Sequence, residues 1–105
     1  MTINASKRIT LAAGDTTVYT LPAADLNPTG YARHTTMDIV VKSGQLDYAF
    51  RHNPGVDPAD DSADALAQFS IVPGDGVVRI EGADNLANFR YKTTGDTEVY
   101  IAFGS

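Results

Sequence analysis

Cysteine and tryptophan are both absent from this chain of 105 residues. Without cysteine the protein has no disulfide framework, no thiolate zinc site and no cysteine nucleophile. Long hydrophobic runs are also missing, since no stretch approaches the ~20 apolar residues that span a bilayer. The polar start at residues 1–7 does not have the pattern of a signal peptide. We therefore expect no membrane contact, while the lack of cysteine leaves the compartment open.

Positive charge is scarce and scattered. Eight Lys and Arg residues stand against thirteen Asp and Glu residues, which gives a net charge of −5. A surface that binds phosphate needs clustered basic side chains, and the nearest approach to a cluster is the pair Lys7 and Arg8. Nucleic acid is therefore not an expected partner. The length fits a single domain that covers residues 1–105.

Short β-prone segments separated by turn residues make up most of the chain. They predict strands at residues 3–11, 16–21, 37–42, 46–51, 69–72, 77–81, 87–92 and 98–103. Ser43 and Gly44 predict a hairpin turn, and residues 93–96 a second turn. The spacing is typical of an all-β fold, an antiparallel β-sandwich of jelly-roll or Ig-like type with seven to eight short strands. The predicted core consists of Val18, Ile39, Val41, Leu46, Tyr48, Phe50, Phe69, Ile71, Val78, Ile80, Phe89, Tyr91, Val99, Ile101 and Phe103.

Candidate catalytic groups are few. His34 and His52 are the only imidazole bases, neither lies near a nucleophile elbow, and both are expected to be solvent-exposed in polar loops. The glycines near residue 75 have no Gly-Lys-Ser/Thr sequence and are expected to be turn residues. We expect no enzyme activity and no cofactor.

An acidic cluster in the loop at residues 52–67 has two interpretations. It does not match the EF-hand pattern, because glycine at the sixth position and glutamate at the twelfth are missing. The expected role is a solvated loop, and the alternative is a weak cation site. The four carboxylates concerned are Asp57, Asp60, Asp61 and Asp64.

The remaining candidate function is binding to another protein, and three segments are candidate contact surfaces. The loop at residues 23–34 places Tyr31 beside Arg33, two residue types enriched in interfaces, and the loop at residues 52–67 is the second segment. Residues 1–7 form either an arm that adds a strand to a neighbour's sheet or an edge strand of the same domain. The candidate partner-binding residues are Ile3, Lys7, Arg8, Asn27, Tyr31, Arg33, His34 and His52.

Three segments carry a resemblance to a known class of proteins. Residues 43–50 (SGQLDYAF), residues 73–75 (PGD) and residues 85–91 (NLANFRY) resemble small β-rich accessory proteins of tailed-bacteriophage virions, which include capsid decoration or cement proteins. The similarity covers roughly residues 36–104.

The resemblance implies a structural virion protein on the capsid surface, made in the host cytoplasm. It implies the major capsid protein as partner, neighbouring subunits of which the module would bridge to stabilise the head, and self-association as a dimer or trimer. The alternative function is a receptor- or carbohydrate-binding β-sandwich module of a phage fibre or tail. No catalytic pattern accompanies the resemblance.

Overall fold

The computed structural model describes residues 3–12, 19–27, 33–50 and 69–104. In these ranges two short helices, α1 (Ala23–Leu26) and α2 (Ala83–Ala87), and a 3-10 turn at Pro73–Asp75 accompany the strands. The described strands are β1 (Ile3–Leu11), β2 (Tyr19–Thr20), β3 (Thr36–Phe50), β4 (Phe69–Ile71), β5 (Val77–Glu81) and β6 (Phe89–Gly104). The predicted all-β class is confirmed.

All six described strands belong to one antiparallel sheet built around the long strands β3 and β6. These two strands pair from Thr36 opposite Gly104 to Phe50 opposite Phe89. Strands β5 and β1 flank one half of this central pair, and β4 and β2 flank the other half. The first half, β1-β6-β3-β5, carries the surface discussed below.

The hairpin predicted at Ser43 and Gly44 is wrong, and the turn predicted at residues 93–96 does not reverse the chain. Residues 36–50 form the single strand β3, and residues 89–104 form the single strand β6. Gly44 and Gly95 both have the positive φ that such turns require, at +80° and +74°. In this structure, however, the two glycines lie in the paired strands β3 and β6, at the point where the register of the pairing shifts between Val41 and Gln45. The turn chemistry therefore produces a bulge and a bend in paired strands instead of a chain reversal.

The bulge also keeps the apolar side chains on the inner side. Met37, Ile39 and Val41 belong to the core cluster before the bulge, whereas Leu46 and Tyr48 belong to it after the bulge, so the core-facing positions change from odd to even. One extra residue in a strand has this effect, because side chains alternate between the faces with a period of two. Both halves of the sheet consequently contribute to one core.

Gly44 is required at the bulge for two reasons. Its φ of +80° is a conformation that side chains bearing a Cβ rarely adopt. A Cβ at this position would also overlap the carbonyl oxygen of Asp96 and would lie 2.8 Å from the Cα of Thr97. The hydroxyl oxygen of Thr97 accepts a hydrogen bond from the backbone N–H of Gln45 at 3.3 Å, which holds the two strands together at the same point.

Most predicted core residues are buried, but Phe69 is not. Its side chain is 43% exposed, because the three-residue strand β4 lies at the edge of the described sheet and leaves one side of the ring open. Phe50 and Val78 are only partly buried, and Val18 lies outside the described residues. The core also contains residues that the sequence analysis did not select: Leu21, Met37 and Leu86.

Candidate functional site: the outer face of the sheet

The first half of the sheet has a solvent-facing side that is distinct from the core side. Register places eight residues there in two rows across the four strands, and all eight are exposed or partly exposed. We call these eight residues the outer face. The ridge row is Arg8, Tyr100, Val40 and Val77, and the groove row is Ser6, Ala102, Asp38 and Arg79.

On β1 and β6 the ridge row has larger side chains than the groove row, since Arg8 and Tyr100 lie beside Ser6 and Ala102. Tyr100 and Val77 in the ridge row are 39% and 63% exposed. Ser6 and Ala102 in the groove row are small, so the surface is lower there. The resulting cavity has a volume of about 410 Å³, and seven of the eight outer-face residues line it. The centre of this surface is therefore apolar and concave.

At one edge of the outer face, charged side chains contact Tyr100 and each other. The Nε of Arg8 lies 2.9 Å from a carboxylate oxygen of Glu98, and the hydroxyl group of Tyr100 donates to the same oxygen at 2.9 Å. The Nζ of Lys42 lies 5.7 Å from the centre of the Tyr100 ring, within the range of a cation–π contact. These contacts fix the exposed ring of Tyr100 in one orientation.

The opposite edge carries a second ion pair. Arg79 donates from Nε and Nη2 to the two carboxylate oxygens of Asp38, at 2.8 and 3.1 Å. The hydrogen bond from Arg79 holds the pKa of Asp38 below its ordinary value. A bidentate pair of this kind has a defined geometry. The apolar centre is thus bordered by ordered polar groups on both sides, which is the usual anatomy of a protein interface.

Residues of the predicted N-terminal contact segment lie on β1. The backbone of Ile3 pairs with Gly104 in the same chain, so this segment is an edge strand of its own sheet. Arg8 belongs to the outer face. Lys7 lines the groove and forms an ion pair with Asp25 of α1 at 2.5 Å. Of Lys7 and Arg8, Arg8 is the one with an exposed, outward-pointing side chain.

The expectation of a solvent-exposed His34 is wrong. Its side chain is 1% exposed and stacks on Phe103 with ring centres 5.5 Å apart. Its Nδ1 hydrogen-bonds the carbonyl oxygen of Asp25, and its backbone N–H donates to the carbonyl oxygen of Leu26 at 2.9 Å. His34 therefore anchors α1 to the core, and its burial leaves no side-chain surface for a partner.

The other predicted site residues are distributed as follows. Asn27 and Arg33 are exposed, on either side of residues 28–32 in the 23–34 segment, and they stay predicted contact residues. Outside the described residues lie Tyr31, His52, Asp57, Asp60, Asp61 and Asp64. In the described ranges no group of His, Asp and Glu residues is arranged to hold a metal ion. No helix in those ranges is long and apolar enough to cross a membrane.

A buried tyrosine on the core side gives a test of this structure at high pH. Burial, together with nearby Tyr19 and Asp25, raises the pKa of Tyr91 from 10.0 to about 12. The neutral phenol therefore stabilises the fold fully below pH 10, and this contribution is lost as the pH rises from about 10 to 12. We expect Tyr91→Phe to lose less stability than the wild type over that interval, by roughly 1–2 kcal/mol after allowance for residual solvent screening.

The measurement is urea unfolding of both proteins at several pH values between 8 and 11.5. Two stability curves that stay parallel over this interval would show that the phenol of Tyr91 is not shielded from water.

The apolar centre of the outer face was not among the contact surfaces predicted from the sequence. Val40, Val77, Tyr100 and Ala102 all lie in predicted strands, at positions that alternate with core residues. Polar residues are expected at such positions when one face of a strand is solvated. Apolar residues at these alternating positions are the sequence signal for this surface. They indicate an outward-facing apolar patch once the register of the strands is known.

Comparisons of the chain with protein-family models, curated proteins and solved structures gave no match.

Proposed function

We propose that this chain is a non-catalytic structural protein that acts by binding another protein surface. Exposed apolar side chains on an ordered β framework carry the proposal. Among the described residues, four large hydrophobic side chains are exposed, and three of them lie in residues 69–77: Phe69, Val72 and Val77. Large exposed apolar side chains are candidate points of contact with another protein. We call residues 69–77 the edge segment.

The specific function that we propose is capsid decoration. The module would bridge neighbouring major capsid protein subunits on the outside of a bacteriophage head and stabilise the shell, after synthesis in the host cytoplasm. Two features support this proposal. The resemblance described above includes Pro73, Gly74 and Asp75, which form the turn inside the edge segment. Antiparallel strands also give a framework on which an apolar edge is held without a partner's help.

We further propose that the sheet forms the two layers of a sandwich, in jelly-roll or Ig-like manner. The bulge at Gly44 supports this proposal, because strands that pass from one layer to another do so at bulges or bends. The shared core supports it as well, since Ile39 and Ile101 from one half and Leu46 and Phe89 from the other belong to the same cluster.

The decoration proposal predicts that particles lacking this protein are less resistant to heat and osmotic shock than complete particles. Adding back the wild-type protein should restore resistance. The double variant Phe69→Ser/Val72→Ser should cosediment with particles at least about tenfold less, since losing two exposed apolar anchors costs about 1.4 kcal/mol or more of binding. The measurements are the surviving fraction after heating and the bound fraction after sedimentation.

Ala87→Ser is the matched control. It makes the same kind of change, from apolar to polar, at an exposed position of α2 that lies outside the edge segment. It should bind particles as the wild type does. Equal survival of complete and deficient particles would overturn the decoration proposal. Equal binding by the double variant and the control would move the contact away from the edge segment.

One observation favours the alternative, a receptor- or carbohydrate-binding module of a fibre or tail. The exposed ring of Phe69 is held by stacking on Tyr48, with ring centres 5.2 Å apart. A fixed, exposed aromatic ring is a platform on which the C–H face of a sugar can stack. A glycan array probed with the wild type and with Phe69→Ala tests this function. Binding that the substitution abolishes would support it, and an array with no bound glycan would exclude it.

A further inference from the structure

We propose that the side of β1 that faces away from β6 binds an extended acidic segment of a partner protein, which adds a strand to this sheet. We call this side of β1 the open edge. The inference does not depend on the capsid proposal, and it concerns the backbone of β1 instead of the edge segment. Three features support it: the unpaired backbone of the open edge, the different construction of the opposite edge, and the side chains of β1.

The backbone of the open edge is unpaired among the described residues. β1 pairs with β6 on one side, and no other described strand or turn forms a backbone hydrogen bond with it. In an antiparallel pair, every second residue directs its N–H and C=O groups away from the partner strand. Such groups are a template to which another extended segment can add. The exposed residues of β1 are Ala5, Ser6, Arg8 and Thr10.

The opposite edge of the described sheet is interrupted. There β4 and β5 both pair with β3, and the 3-10 turn at Pro73–Asp75 separates them. Val72 forms its backbone hydrogen bonds with Asp75: its N–H donates to the carboxylate at 2.9 Å, and its carbonyl oxygen accepts from the N–H of Asp75 at 3.0 Å. Pro73 has no N–H group. Proline and such interruptions protect a sheet edge against the addition of a strand.

The open edge has no comparable protection. β1 contains neither proline nor glycine, and its pairing with β6 is regular over residues 5–11. A partner segment can therefore pair with an uninterrupted row of backbone groups. Of these two edges of the described sheet, the open edge is the one suited to strand addition.

On the core side, β1 leaves apolar side chains that an added strand would cover. Ile9 and Leu11 pack against the core cluster but are only partly buried. They show that the core extends to the open edge and is incompletely covered there. Apolar residues at alternate positions of a partner segment would continue the core past β1, which favours binding in proportion to the apolar area removed from water.

Charge selects the chemistry of the partner. Lys7 and Arg8 are the charged residues of β1, which contains no acidic residue. Lys7 pairs with Asp25, whereas the side chain of Arg8 is 60% exposed on the solvent-facing side. The Nε of Arg8 contacts Glu98, and the two Nη atoms carry the other four N–H donors of a guanidinium group. Acidic side chains of a neighbouring strand are therefore favoured opposite Arg8.

The same charges disfavour a second copy of this chain as the added strand. Two β1 strands that pair about their centres bring Lys7 and Arg8 of one copy opposite the same residues of the other. Like charges directly opposite each other destabilise strand pairing. The occupant that fits both sides of β1 is therefore an extended segment in which acidic residues alternate with apolar ones.

NMR titration of the isotope-labelled protein with a short peptide tests the proposal. The probe is a capped peptide of about seven residues, as long as the regular part of β1, in which valine and glutamate alternate. We expect saturable shifts of the β1 amide signals, with a dissociation constant below about 1 mM. The β1 amides that point away from β6 should also exchange their hydrogens more slowly when the peptide is bound.

Two further peptides separate the contributions of backbone and charge. The same peptide with every backbone amide N-methylated cannot donate the hydrogen bonds of a β-ladder and should not bind. The peptide with lysine in place of glutamate should bind the wild type at least about fivefold more weakly, because it places cations opposite Arg8.

A charge reversal in the protein should exchange these preferences. We expect Arg8→Glu to weaken binding of the glutamate peptide about fivefold and to strengthen binding of the lysine peptide. Arg33→Glu is the matched control, since it makes the same change of charge at an exposed position outside β1. It should leave both affinities unchanged. The amide spectrum of each variant shows whether it is folded.

Four results would overturn the proposal. The first is the absence of β1 shifts at peptide concentrations up to about 1 mM, and the second is equal binding of the N-methylated peptide. The third is equal binding of the glutamate and lysine peptides by the wild type. The fourth is protection of the outward β1 amides that rises with protein concentration in the absence of peptide, which would assign the open edge to a second copy. All four leave the decoration proposal standing, since only particle binding tests that function.

Discussion

Gly44→Ala should destabilise this protein by at least about 3 kcal/mol. Part of the loss comes from the φ of +80°, which costs a residue with a Cβ about 1–2 kcal/mol. The larger part comes from overlap of the new methyl group with the carbonyl oxygen of Asp96 and the Cα of Thr97. Both are backbone atoms of the paired strand β6, so no side-chain rotation relieves the overlap. Folded domains typically have a total stability of about 5–15 kcal/mol, and this loss would be a large share of it.

Urea unfolding followed by circular dichroism measures this loss, since the chain lacks the tryptophan that fluorescence would use. Gly95→Ala is the matched control. Gly95 has a φ of +74°, but a Cβ there meets no atom within 4 Å. Gly95→Ala should therefore lower the free energy of unfolding only by the cost of the positive φ, about 1–2 kcal/mol. Equal losses in the two variants would show that β3 and β6 are not closely packed at Gly44.

The same bulge explains which part of the fold the sequence could predict. Local patterns were sufficient for strand positions, because β-branched and aromatic residues alternate with polar ones within five or six residues. They were not sufficient for connectivity. A glycine with positive φ is equally compatible with a hairpin turn and with a bulge. Only the pairing of Gly44 with residues 96 and 97, far along the chain, distinguishes the two.

The candidate surface shows a related limit. Lys7 and Arg8 were both candidate partner-binding residues, yet the pairing of β1 places their side chains differently: Arg8 lies on the outer face, and Lys7 lies against Asp25. The sequence placed Tyr100 in a strand but did not show on which face of the sheet its side chain lies. Strand pairing places Tyr100 between Arg8 of β1 and Val40 of β3, on the solvent-facing side of the sheet. Both of these strands are distant from Tyr100 in sequence. A surface assembled across four strands cannot be recognised before their register is known.

Burial in the aromatic part of the core leads to the second large effect. Phe89 is fully buried, and its ring centre lies 5.3 Å from that of Tyr48 and 5.9 Å from that of Phe50. We expect Phe89→Ala to destabilise the protein by about 3–5 kcal/mol, the sum of lost burial and the cavity left behind. Phe89→Leu keeps most of the volume and should cost less, about 1–2 kcal/mol. Chemical unfolding measures both variants on the same scale.

Phe69→Ala is the matched comparison, because Phe69 has the same side chain and also contacts Tyr48 and Phe50. Its ring is 43% exposed, so its removal leaves an open surface instead of a cavity. The expected cost is about 1 kcal/mol. Similar losses for Phe69→Ala and Phe89→Ala would mean that the edge ring is a core residue, which would remove the basis for assigning the edge segment to a partner. A cost several times larger at Phe89 leaves Phe69 as a side chain whose exposure contributes little to folding and is available for binding.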